Sequence, residues 1–165
     1  AWVPLGADRF YALVNEQFFD ENRFYRVLPH FIAQFGANDD RKRNERWEKV
    51  PLKDDPPREK NLRGTVSFAF LDPDSRTHQL FVNLKDNVSL DADGFVPIGR
   101  VVEGMPVVDS LYDDYGDIPK YHMIATLGNK YLARIFPKLD YVKTARVVDT
   151  DPFDTDPHEG RGSSR

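Results

Sequence analysis

The sequence predicts a mainly β domain, a barrel of short strands capped by two helices. Three observations carry that expectation. Apolar residues recur at three- and four-residue spacing in two stretches, 4–18 and 105–115. Between and after them lie several short runs rich in aromatic and β-branched residues, bounded by proline, glycine and aspartate. Those runs do not alternate with helices, as a parallel α/β sheet requires.

In chain order, the first helix starts at Pro4, a residue suited to a first helical position, and places Ala7, Phe10, Tyr11, Val14 and Phe18 on one face. Residues 23–35, RFYRVLPHFIAQF, read as strand, turn and strand, with the break at Pro29. Residues 37–63 are polar and proline-bearing and predict a long loop. Strands follow at 65–70 and 79–84, joined by the turn-rich LDPDSRTH, and a third at 95–102 after the Asp93-Gly94 turn signal. Gly104-Met105-Pro106 opens the second helix, which carries Val107, Val108, Leu111, Tyr112 and Tyr115; residues 127–136 read as a short third one. A last strand is expected at 140–148. Beyond it Asp-Thr-Asp-Pro occurs twice before a Gly- and Ser-containing end, with too little apolar content to fold. One domain, 1–148, and a disordered acidic tail, 149–165, are therefore expected.

Composition narrows the function. With 165 residues, 40% of them hydrophobic and 30% charged, the chain is long enough to bury a core. A net charge of −4 argues against a dedicated nucleic-acid binder, and no apolar run is long enough to insert in a bilayer. Cysteine is absent, which excludes disulfides and thiol catalysis and fits any compartment. The opening AWVPLGADRF begins at Ala1 and is no signal peptide, so a processed or trimmed chain is expected. The four histidines are scattered, and Asp91-x-Asp93-Gly94 lacks the further oxygen ligands of a calcium loop, so neither metal nor cofactor is expected. Arg41-Lys42-Arg43 is interrupted by acids and reads as solvated loop. Ser67 has no G-x-S-x-G around it and no evident base.

One stretch is more specific. Phe24 to Gly36, FYRVLPHFIAQFG, closely resembles the cyclophilin signature, in which an aromatic, any residue, Arg and two aliphatics precede Pro, with Phe two positions later and Gln three beyond that. Gly64-Thr65-Val66-Ser67-Phe68-Ala69, then Gln79-Leu80-Phe81-Val82, resembles a second block, and Gly99 to Asp109 a third. The style of the first block is closest to bacterial or algal members. The resemblance implies a small antiparallel β-barrel and a peptidyl-prolyl cis/trans isomerase that assists folding, with proline-containing polypeptides as partners. It assigns Arg26 and Gln34 to catalysis: Arg26 directs its guanidinium at the prolyl nitrogen, and Gln34 binds substrate backbone and holds Arg26. Phe31, Ile32, Phe81 and Leu90 line the proline pocket, Phe95 stands near a position where histidine is usual, the strand after Ala69 pairs with substrate at Phe70, and Gln79 borders an adjoining pocket.

The departures set further expectations. His30 replaces a common glycine and is expected to narrow the pocket mouth. Ser89 lies where some members carry a tryptophan, and His78 falls in the segment shaping the second pocket. Residue 1 corresponds to the approach to the family's first helix, so two opening strands are not in this chain. An incomplete barrel with a gap beside 140–148 is expected, and with it the alternative of a catalytically weak scaffold or accessory subunit in a larger assembly.

Overall fold

The computed structural model of the chain describes residues 3–148, and the expected tail at 149–165 lies outside them. The strands are β1 (Asn22–Arg23), β2 (Arg26–Leu28), β3 (Ile32–Phe35), β4 (Thr65–Phe68), β5 (Leu80–Asn83), β6 (Pro97–Arg100) and β7 (Tyr141–Val142). The helices are α1 (Pro4–Asn15), α2 (Arg41–Glu48), α3 (Ser89–Ala92), α4 (Met105–Asp109) and α5 (Tyr121–Ile135). An antiparallel sheet in the order β2-β3-β5-β4-β6 is the centre of the molecule.

Its register separates the two faces. Ala33 pairs with Val82 and Val82 with Val66; Phe35 pairs with Leu80 and Leu80 with Phe68. Because side chains alternate along a strand and paired residues share a face, these rows point to one side. Phe35, Phe68, Leu80 and Val82 pack there with Leu13, Val14, Phe18 and Phe19 as the main core. The intervening row, Arg26 opposite Gln34 and Gln34 opposite Phe81, points to the other side. The core rows are apolar and the other row is mixed, so a one-residue slip would bury Arg26 and Gln34.

Several expected elements are corrected. The buried face of α1 is Gly6, Arg9, Leu13 and Val14, while Phe10 and Tyr11 are exposed. Gly6 lets the helix approach β6, since a Cβ there would stand 2.6 Å from Ile98. Arg9 is buried because its guanidinium reaches Thr77 O (2.9 Å) and Val50 O (2.7 Å) over the Trp47 ring. The loop expected at 37–63 contains α2. Asp40 caps it by accepting from Lys42 N (2.9 Å), Arg41 pairs with Glu45 one turn on, and buried Asn44 bonds the backbone of Asn38. The basic run is thus the solvent face of a helix.

The second expected helix ends at Asp109, leaving Tyr112 and Tyr115 beyond it, and a single turn, α3, lies where the sequence predicts no helix. The third is longer than expected and bends at Gly128, whose φ is 65°. It packs Ile124 and Leu132 with Tyr25, Ala37, Phe136 and Leu139 in a second core. Among the described residues there are thus five helices around a mainly strand-built centre. The last strand is two residues, Tyr141–Val142, paired with Asn22–Arg23, and residues 143–148 form no strand. Among the described residues the sheets do not close into a barrel.

Candidate active site

The sheet face opposite the main core, together with the segments after β4 and β5, walls a groove of about 470 Å³. The ten residues that the resemblance assigns to catalysis and substrate binding line it: Arg26, Phe31, Ile32, Gln34, Ala69, Phe70, Gln79, Phe81, Leu90 and Phe95. Leu71 and Tyr121 complete the lining.

The polar side is built on β2 and β3. The register sets Arg26 directly across from Gln34, and Arg26 Nη1 donates to Gln34 Oε1 (3.3 Å). Gln34 Nε2 donates in turn to the Tyr25 hydroxyl (2.9 Å) and to Gln79 Oε1 (3.1 Å). Tyr25 also donates to Gln79 Oε1. Burial pushes the Tyr25 phenol well above its ordinary pKa, so it stays a donor across the physiological range. Arg26 is therefore oriented through one N–H, and among the described residues its other donors meet no acceptor. Guanidinium has five N–H donors in a fixed plane, so most of the fork remains for a ligand.

The apolar side is aromatic. Phe70 and Phe95 stand 4.4 Å apart between centroids, and Phe95 meets Phe81 edge-on at 5.6 Å. Phe70 thus contributes a ring to this wall. A buried asparagine network fixes this wall from behind. Asn61 Nδ2 donates to Asp91 Oδ1 and Phe95 O (both 2.7 Å), and Asn61 Oδ1 accepts from Ser67 Oγ (2.8 Å) and Asn83 Nδ2 (3.2 Å). Asn87 Nδ2 donates to Phe31 O and Asn83 Oδ1 (both 2.8 Å). The backbone of Phe31 and Phe95 is held by side chains that sequence reasoning passed over. The available signal was Asn83 closing the otherwise apolar LFVN strand. Asp91, weighed above only as a calcium-loop residue, is the acceptor that anchors Asn61, and Ser67 is a buried donor within the same network. Among the described residues no group of His, Asp and Glu is placed to hold a metal ion.

The two histidines singled out in the sequence lie off the groove. His30 does not narrow the groove. It is the third residue of the β2–β3 turn, closed by Phe31 N to Leu28 O (3.0 Å), and lines a separate cavity with Val27, Pro29, Arg63 and Asp109. Its φ is 56°, the left-handed conformation that glycine adopts freely at this turn position. His78 is fully buried and does not line the groove: Nδ1 donates to Gly36 O (2.6 Å) and Nε2 lies 3.3 Å from the Tyr121 hydroxyl. Burial lowers its pKa, with the Gly36 and Glu48 contacts opposing. Ser89 is exposed at the start of α3.

Known proteins agree with this geometry. The family model described as cyclophilin type peptidyl-prolyl cis-trans isomerase/CLD matches residues 2–126. A peptidyl-prolyl cis-trans isomerase of Acinetobacter baylyi is 33% identical over 131 residues, which cover 72% of this chain and 69% of the relative. Peptidyl-prolyl cis-trans isomerase A of Dickeya dadantii is 36% identical over 116 residues, 66% of this chain and 60% of its own. Among solved structures, a Cryptosporidium parvum cyclophilin type peptidyl-prolyl cis-trans isomerase, crystallised in the presence of the dipeptide Ala-Pro, aligns with a TM-score of 0.56. That alignment covers 69% of this chain and 77% of the other at 20% identity, a likeness of fold. The matched range spans the strands and side chains that build the groove, and the chain belongs to the cyclophilin-type peptidyl-prolyl cis-trans isomerase family.

Proposed function

We propose that the groove binds an X–Pro segment of a polypeptide and catalyses rotation about its peptide bond, with Arg26 donating to the prolyl nitrogen. The observation that carries this reading is a half-buried guanidinium, oriented by Gln34, beside an aromatic-walled cavity.

Rotation about a peptide bond faces a barrier of about 18–20 kcal/mol, because the nitrogen lone pair is delocalised into the carbonyl. For X–Pro, uncatalysed exchange takes roughly 10–100 s. Millisecond exchange needs about four to five powers of ten, or roughly 5.5–7 kcal/mol of selective stabilisation. No covalent step is required. In the twisted transition state the prolyl nitrogen becomes pyramidal and regains its lone pair, so a donor aimed at it stabilises the transition state more than either ground state. Phe31, Ile32, Phe81, Leu90 and Phe95 take the proline ring and exclude water. Gln34 and Gln79 offer polar groups to the flanking backbone. The Ala69 N–H is already bonded to Gln79 O (2.9 Å), so strand-like pairing with substrate falls to Phe70 and Leu71.

The test is turnover of a short X–Pro peptide by Arg26→Ala. A loss of about a hundredfold or more in kcat/KM is expected, the usual effect of removing one transition-state donor, with an unchanged near-ultraviolet spectrum. Arg26→Lys should rescue poorly, because an ammonium cannot bond Gln34 and substrate in one plane. Near-normal turnover in Arg26→Ala would remove the assignment.

A further inference from the structure

We propose that Tyr121 is a specificity-determining residue, which makes the part of the groove beside Gln79 favour a large apolar side chain flanking the X–Pro bond. The proposal rests on reading the groove as a substrate site. Tyr121 belongs to no motif in the sequence. It opens α5, a helix that runs on to Ile135, past the last residue of the family match at 126.

Its hydroxyl is already engaged. It donates to Glu48 Oε1 (2.5 Å) at the end of α2 and lies 3.3 Å from His78 Nε2, whose other nitrogen is fixed on Gly36 O. The Tyr25 and His78 rings stand 6.3 Å away on its flanks. Burial, with Glu48 beside it, raises the phenol pKa far above its ordinary value, so the donor stays protonated. Tyr121 thus lines the groove with its hydroxyl held by Glu48 and the Gln79 side chain beside it. Beside the polar Gln79, part of the lining is apolar. Ala69 bonds Gln79 through its backbone, Phe70 and Leu71 follow it, and Leu71, 97% exposed, also lines the groove. An aromatic ring and an uncovered leucine in the lining of one groove favour an apolar occupant, because each removes apolar surface from water only when such a side chain is bound. Glu48 is the positioning residue, since it fixes the ring without lining the groove.

A contact between α5 and α2 thus sets one side chain of the lining, and that is testable. The probes are an all-alanine peptide around Ala-Pro and peptides carrying Phe in turn at each of the two positions on either side of that pair. Wild type should prefer Phe at one position by roughly five- to tenfold in kcat/KM. Tyr121→Ala should bring that ratio close to one. Tyr121→Phe and Glu48→Ala should lower it partway, and Glu48→Gln, which keeps an acceptor oxygen, should preserve it. An unchanged ratio in Tyr121→Ala, or an equal fall in rate for all peptides, overturns the proposal. If Tyr121→Ala does not fold, Tyr121→Phe and Glu48→Ala decide it by the same ratio. Absence of turnover in wild type would count against the catalytic reading alone; the same ratio, measured then as dissociation constants by titration, still decides the role of Tyr121.

Discussion

A single side chain here is often held by groups far away in sequence, and two histidines make that measurable. His78 is buried, and burial lowers its pKa against the opposing pull of Gly36 and Glu48. The unfolded chain then binds a proton more readily than the folded one. Stability from this residue is complete above the ordinary histidine pKa of about 6.5 and is lost as pH falls toward and through the lowered folded value. The urea midpoint should therefore drop between pH 7 and pH 5. His78→Asn, whose amide nitrogen can still donate to Gly36 O, should flatten that slope; equal slopes in both proteins would contradict the account. His30 offers the opposite case, a strained residue at an exposed turn. Holding a non-glycine residue in the left-handed region costs roughly 1–2 kcal/mol, and glycine's added freedom when unfolded offsets about 0.4–1 kcal/mol of any relief. His30→Gly should stabilise the protein by about 0.5–1 kcal/mol in equilibrium unfolding. A loss of stability would mean that the His30 side chain makes a contribution beyond its backbone.

Among the elements, α2 and α5 depend on each other. Gly128 breaks α5 so that Asn129 N can donate to Asp39 Oδ1 (2.5 Å), one residue before the cap of α2. A Cβ at Gly128 would stand 2.5 Å from Asp39 Oδ1 and 2.6 Å from Asp39 O, in a backbone conformation already unfavourable for any side chain. Gly128→Ala should cost about 1–3 kcal/mol in denaturant unfolding, from the clash and the backbone strain together. It should also speed hydrogen exchange in both helices. Full protection of α2 in that variant would show that the two helices are independent. The sequence hid this pair for a physical reason: α2 is polar nearly all round, with Asn44 as its buried residue, so no apolar stripe announces it.

For the molecule as a whole, the ties that matter join segments far apart. Asp55 accepts from Leu5 N (3.1 Å) and Gly6 N (2.8 Å) at the start of α1 and pairs with Arg76 (3.2 Å), which is 1% exposed. Three stretches of chain meet on that carboxylate. Asp55→Ala leaves a buried guanidinium short of its partner and should cost about 3–5 kcal/mol in unfolding free energy. A change below 1 kcal/mol would mean that Asp54, 3.1 Å from Arg76 Nε, takes over the role. At the other end, residues 143–148 lie outside the strands, and Ala145 N reaches the Asp20 carboxylate (2.9 Å). Amides along 143–148 should exchange fast, with Ala145 slower, while β3 and β5 exchange near the global rate.

The sequence by itself determined the sheet and the polar heart of the groove. Both depend on local order: short apolar runs bounded by turn residues mark the strands at 32–35, 65–68 and 80–83, and the hairpin at Pro29 puts Arg26 across from Gln34 whatever surrounds it. Runs and spacings of that kind are legible because the periodicity of a strand is two and a tight turn fixes its register. The tertiary structure decided what touches the groove from elsewhere. Tyr121 reaches Glu48 across 73 positions, Asn61 reaches Ser67, Asn83 and Asp91 on three segments, and Arg9 rather than Phe10 turns inward because acceptors at Thr77 and Val50 happen to converge on it. No one-dimensional pattern encodes these pairings, since a buried polar side chain is tolerated only where a partner from another segment satisfies it.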